Sequence, residues 1–246
     1  ALGCNEELSG DFNPLCIRHS DVRDYDGWMT GAGTTSREYI LTGGGRIVAG
    51  RMVGPYLLVW TTEALYLGTF IGSLEQPWSF DRVAQNCGLA GPNAAVVKGS
   101  SAYWVAPDLT FRSYTLGGSV EPVPCPISRD FTENMAASQL DKIVVSTNAK
   151  FDEVRIDYPD ARDGYECSRY LAVPVAGPDL GAWYRGVMAR TAMVDAGPSA
   201  FPIGVTYDGA IYWHERGTSA DGSQLAGYIE STDQYLDENR AMMVRS

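Results

Sequence analysis

Histidine is almost missing from this 246-residue chain: there are two, His19 and His214. That scarcity removes most multi-histidine metal chemistry, since a zinc-protease helix needs H-E-x-x-H and position 218 is threonine. Positive charge is also short, with 19 Lys and Arg against 30 Asp and Glu, a net charge of −11. A chain so acidic does not seek out phosphate backbones. No apolar run approaches the ~20 residues that span a bilayer, and no basic-then-apolar leader opens the sequence. Cysteine is sparse and irregular: Cys4, Cys16, Cys87, Cys125 and Cys167 are odd in number and hold no C-x-x-C pair. A disulfide framework or zinc ribbon is not expected, and the five read as reduced, mostly buried small apolar side chains.

The common catalytic signatures are missing too. There is no G-x-S-x-G elbow, "GPSAFP" being no match, and no G-x-x-x-x-G-K-[ST] phosphate loop. "GGGRIVAG" (43–50) reads as a turn into a strand, with no helix behind it to hold an anion. Asp208, Asp221 and Asp233 lack the close spacing of a calcium loop, and "TSADGSQ" reads as a turn. The pair His214-Glu215 ends a strand-like run, where neighbours point to opposite faces, so the two do not aim at one site. The reading is a strand-end histidine beside a solvated glutamate. No catalytic, cofactor-binding or metal-binding residue is assigned, no cofactor is expected, and the chain is read as a non-enzyme.

What the sequence does contain is strand, short turn, strand. Gly (27) and Pro (13) are scattered, and 14 Tyr and 6 Trp recur. Hairpins are expected over 56–72, turning at Thr61 to Glu63; over 94–107, turning at Gly99 to Ser101, with "LTFRSYTLGG" as a third run; and over "KIVVSTNAKFDEVRIDY", turning at Asn148 to Lys150. Two more follow, around Gly177-Pro178 and at Asp208-Gly209, the strongest short hairpin signal in the chain. Within "EVRIDY", Val154, Ile156 and Tyr158 point one way and Glu153, Arg155 and Asp157 the other, the period of a half-buried strand. Arg129 to Lys142 is the one helical candidate, and helix is expected to stay under ~15%. Bulky aromatics open the second strand of several hairpins. Their spacing of about 30 to 50 residues brackets a four-stranded propeller blade. The fold expected is all-β, a degenerate β-propeller-like body over residues 41–246, with residues 1–40 as an N-terminal arm or partial blade; a β-sandwich is the alternative. Trp60, Tyr66, Trp104, Trp183 and Tyr212 are expected in its core.

Several stretches occur in a telling order: "LLVWTTEALYLGTFIG", "NCGLAGPNAAVVKGSSAYWVAPD", "FRSYTLGG", "VPCPI", "DEVRIDYP", "ARTAMVDAGP" and "DGAIYWHERGTSADGSQLAGYIES". From about residue 40 onward the set resembles the tail hub or nozzle proteins of tailed bacteriophages, also called packaged-DNA stabilisation proteins. The resemblance implies a propeller-like body, a structural virion protein of the phage tail assembled in the host cytoplasm, and no enzyme activity. It implies a sixfold homo-oligomeric ring at the end of the tail channel, contacts with other tail and adaptor proteins, and double-stranded DNA passing through the lumen without sequence-specific binding. Members usually carry more chain ahead of the "GGGRIVAG" region, and this chain starts at Ala1 without Met. It is therefore expected to lack an N-terminal blade or to begin after a processed segment. In such a ring the acidic charge has a use: DNA carries one negative charge per ~1.7 Å, and a carboxylate lining lets it slide. The competing reading is a β-protein that binds or cleaves surface polysaccharide, with exposed aromatics as sugar platforms and a pair of carboxylates assembled in space.

Overall fold

The structure, a computed structural model, describes residues 2–31, 33–178, 180–195, 200–220, 222–224, 234–237 and 240–242. Asp221, Asp233 and the stretch 228–231 lie outside them. The chain divides into two compact units, Ala1–His214 and Glu215–Ser246, whereas the sequence reading placed its boundary at residues 40–41.

The first unit holds five antiparallel sheets in chain order. The first contains β1 (Leu2–Glu6), β2 (Phe12–His19) and β3 (Arg37–Ile40). The second contains β4 (Ile47–Val53), β5 (Tyr56–Thr61), β6 (Ala64–Phe70) and β7 (Trp78–Gln85). The third contains β8 (Ala95–Lys98), β9 (Ser101–Val105), β10 (Phe111–Thr115) and β11 (Val120–Pro122). The fourth contains β12 (Val144–Asn148), β13 (Glu153–Pro159), β14 (Cys167–Pro174) and β15 (Tyr184–Val187). The fifth contains β16 (Ala192–Val194), β17 (Ile203–Val205) and β18 (Ile211–Trp213). Each is a meander in which every strand pairs with its neighbour in sequence. Strands β4, β8, β12 and β16 touch in succession, so the first strands of four sheets line a common axis. The result is all-β, 6% helix against 47% strand, with the sheets stacked like blades. The second unit contains two short ladders, β19 (Ser219–Ala220) with β20 (Ser223–Gln224), and β21 (Gln234–Asp237) with β22 (Arg240–Met242).

Two-sided burial explains the second sheet. On β5, Leu57 and Val59 face the first sheet with Ala64 and Tyr66, while Leu58 and Trp60 face the third with Leu65. Both faces of the strand are apolar because both are covered, and the run reads as continuous hydrophobicity rather than alternation. The main core continues through Trp104, Phe111, Phe131, Ile156, Tyr158 and Leu171. Trp104 lies edge-on to Trp60, with ring centroids 5.7 Å apart, and its indole N–H donates to the Cys87 carbonyl at 3.0 Å. Trp60, Tyr66 and Trp104 are buried as expected, whereas Trp183 and Tyr212 are only half-buried. Trp183 caps Phe111 at 4.8 Å and donates to the Pro124 carbonyl at the surface. Tyr212 lies under an arginine rather than in the core.

The expected helix is shorter than its pattern. A seven-residue helix, α1 (Ser128–Asn134), buries Phe131, and a separate 3-10 turn covers Ala137–Lys142. Between them Met135 adopts ψ 131° and bridges to Asp160, and the Ala136 amide donates to the Pro159 carbonyl. Pairing with β13 draws the backbone out of the helix. The first forty residues, which show no clean alternation, form the β1–β3 meander, with Pro14 inside β2. Within the triple glycine before β4, Gly45 adopts φ 84°, a left-handed backbone that other residues rarely accept, and a Cβ there would lie 2.1 Å from the Thr62 hydroxyl.

All five cysteines are free: Cys16, Cys87 and Cys167 are buried, Cys125 is half-buried and Cys4 is exposed. No helix among the described residues is long and apolar enough to cross a membrane.

Candidate functional site

Between the first four sheets the buried contacts are mainly apolar. Between the fourth and fifth they are not. The β13 strand is buried along its whole length, so the half-buried strand expected from "EVRIDY" is covered on both faces. Val154, Ile156 and Tyr158 enter the main core. Glu153, Arg155 and Asp157 turn to the other face, and they too are buried, because the fifth sheet and its leading segment lie over them.

The centre of this seam is Arg155. Its guanidinium donates to Asp157 at 2.6, 3.0 and 3.1 Å, and its Cζ sits 3.9 Å over the Tyr170 ring. Asp157 has no solvent exposure, and burial pushes its carboxyl up while Arg155 pulls it back. Glu153 accepts from the Tyr184 hydroxyl at 2.5 Å and from Asn148 at 3.4 Å. The desolvated Tyr184 phenol, bonded to that carboxylate, is held protonated well above its ordinary range.

The fifth sheet answers with its own polar face. Register places Met193, Gly204 and Tyr212 side by side on it. Arg190, just ahead of β16, lays its guanidinium 4.5 Å over the Tyr212 ring and donates through Nε to His214 Nε2 at 2.8 Å. That bond requires an unprotonated Nε2, so His214 is neutral here with its proton on Nδ1. Burial, with Arg190 and Arg155 nearby, lowers its pKa to about 4. Burial likewise lowers Arg190. Gly204 makes room for the pair: a Cβ there would meet His214 Nε2 at 2.6 Å and Arg190 Cδ at 2.7 Å. Below the seam Asp195 accepts from the Thr147 hydroxyl at 3.0 Å and the Ala149 amide at 2.9 Å, tying the fifth sheet to the β12–β13 turn. The buried Ser146 hydroxyl, opposite Arg155 across the ladder, has no protein partner.

Chemically this is a balanced set, two carboxylates against two guanidiniums, with a neutral imidazole as acceptor. Such a seam adds little net stability, because desolvation offsets attraction, but it admits few alternative registers. His214 and Glu215 do not converge. His214 turns in toward Arg190, and Glu215 is exposed, with φ 57° where the chain leaves the strand. Of the carboxylates weighed for calcium, Asp208 caps its own β17–β18 turn through Thr206. Among the described residues no three His, Cys, Asp or Glu side chains converge as a metal site. Sequence reading saw the polar face of β13 but not what covers it; the matching signal was the Arg190, Tyr212, His214 pattern on the next sheet.

No protein-family model matches the chain, and no curated protein matches it. Solved structures do. Hsv2 of Kluyvelomyces marxianus, a β-propeller, aligns with a TM-score of 0.50 and 8% identity over 94% of this chain and 60% of its own. The chain therefore spans 60% of the length of that protein. The computationally designed protein Ika4 aligns at 0.45 and 10% identity, over 72% of this chain and 96% of that one. The N-terminal domain of Nup159 aligns at 0.35 and 11%, over 84% and 71%. At these identities the Hsv2 likeness speaks for fold alone, a β-propeller-like body.

Proposed function

We propose that this chain is a structural protein of a bacteriophage tail, a subunit of the hub or nozzle ring through which packaged DNA is retained and then released. The proposal rests on the ordered set of stretches described above, and one structural observation supports it most. Several of the scarce cations are paired with carboxylates: Lys98 pairs with Asp152 at 2.8 Å, Lys142 with Glu166 at 2.5 Å, Arg169 with Asp163 at 2.6 Å, and Arg162 and Arg185 both reach Asp130 at 3.0 Å. With 30 Asp and Glu against 19 Lys and Arg, carboxylates remain in excess after such pairing, a net charge of −11. A duplex passing such a surface is repelled and slides instead of binding.

The passage lies between subunits. The axial groove of about 430 Å³ is lined by Arg51, Met52, Val96, Val97 and Met193, too small to conduct a duplex. Identical chains enclose a wider lumen by cyclic symmetry. Trp60 and Trp104 are core residues and offer no sugar platform. Antibody labelling of phage particles viewed by negative stain tests the proposal. Label on the tail axis is expected; copies scattered over the capsid, or none in the particle, refute it. Reversing exposed carboxylates to lysine should slow genome ejection, most at low salt.

A further inference from the structure

The fifth sheet is inside out. The face it turns to the fourth sheet is polar, and the face it turns outward is not. Register places Ala192, Val205 and Ile211 in one row and Val194, Ile203 and Trp213 in the next. The six described side chains of these rows are apolar, and Val194 is 59% and Ile211 69% exposed. A β-strand normally alternates so that such a row is covered.

A second uncharged surface lies at the other end of the row of sheets. A groove of about 480 Å³ opens between β1, the segment after His19 and the β6–β7 loop, and Leu2, Val22, Phe70, Leu74 and Trp78 line it. Val22 is 61% and Leu74 74% exposed.

We propose that these two surfaces are the halves of one head-to-tail contact, the outer face of the fifth sheet of one copy seating on the Leu2–Phe70–Leu74 groove of the next. The contact rests on the ring reading above and specifies where the ring is joined. Two arguments select a second copy as the occupant. The first is charge. Two chains of −11 repel, and self-association is favoured where the meeting surfaces carry no carboxylate; neither the face nor the groove lining contains one. The second is area. At ordinary side-chain sizes each patch offers on the order of 500 Å², so the pair buries about 1,000 Å², the threshold for a specific interface. Because the two halves differ, the contact is heterologous and propagates until it closes.

The test is the mass of the full chain in solution by sedimentation, for wild type, Ile211→Lys and Leu74→Lys. Both positions are exposed, and unchanged circular dichroism melting checks that the variants fold. Wild type is expected to assemble and each variant to lose assembly. An equimolar mixture of the two variants keeps one intact junction, groove from one and face from the other, and should stop at dimers. A monomeric wild type, a variant that assembles like wild type, or a mixture without dimers overturns the contact. If the chain is missing from purified particles yet these masses come out as expected, the tail reading fails and the contact stands. If the chain is in particles but the masses fail, only the contact falls.

Discussion

Acid should loosen the seam through His214, and the size of the effect follows from its surroundings. In the unfolded chain the imidazole titrates near 6.5, and in the fold its pKa is lowered to about 4 by burial and by Arg190 and Arg155. Between those values the unfolded chain binds a proton that the folded chain refuses. Stability is therefore full above pH ~6.5 and is lost as pH falls toward 4, at up to ~1.4 kcal/mol per pH unit. The full drop amounts to roughly 3 kcal/mol, and partial exposure of the ring screens this to about 1.5–2 kcal/mol. Gln at 214 keeps an acceptor for Arg190 and removes the titration. Urea midpoints followed by tryptophan fluorescence at pH 7.5, 6, 5 and 4.5 separate the two proteins. Asp157, raised by burial, works in the opposite direction but is present in both, so the difference between them isolates His214. Wild type should lose stability steeply below pH 6.5 while His214→Gln stays nearly flat. Parallel curves would refute the neutral histidine bonded to Arg190.

Trp104→Ala should cost ~3–5 kcal/mol by emptying the site beside Trp60 and freeing the Cys87 carbonyl. Thermal melting measures it, and Trp183→Ala, half-exposed at the surface, should lose less than half as much. Gly88→Ala should cost about 3 kcal/mol or more, because a Cβ would lie 2.1 Å from the Thr62 carbonyl oxygen, a backbone atom that cannot rotate away. Soluble yield and melting check it, with Gly54→Ala, where nothing lies within 4 Å, reporting the left-handed backbone strain without the clash.

Hairpins with strong turn residues were legible. Asp208-Gly209 and Gly99-Ser100 mark the β17–β18 and β8–β9 turns, and local chemistry sets both. The β1–β3 sheet was illegible, because "LGCNE" and "FNPLCIRH" show no clean alternation and Pro14 interrupts the second, while the contact of Ile17 with Leu57 and Val59 of the second sheet is made only by tertiary packing. The helix was over-read since the 129–142 pattern cannot show that Ala136 bonds to Pro159. The seam was half-legible: alternation put Arg155 and Asp157 together, but only tertiary packing decides that charges face a neighbouring sheet and not water.

The strictly sequential meanders have a consequence for biosynthesis. The second sheet is complete once Gln85 has been made, the third at Pro122 and the fourth at Val187. Every strand finds its partner within its own stretch, so loop-closure entropy stays small even though the fold is all-β. The chain can build one sheet on the last as it leaves the ribosome. Each unfinished product then ends in a sheet with one uncovered side, and in the finished unit Val194 and Ile211 of the β16–β18 sheet are still exposed. The exposed apolar side chains of that last sheet are the kind of surface a growing chain uses to recruit its next segment.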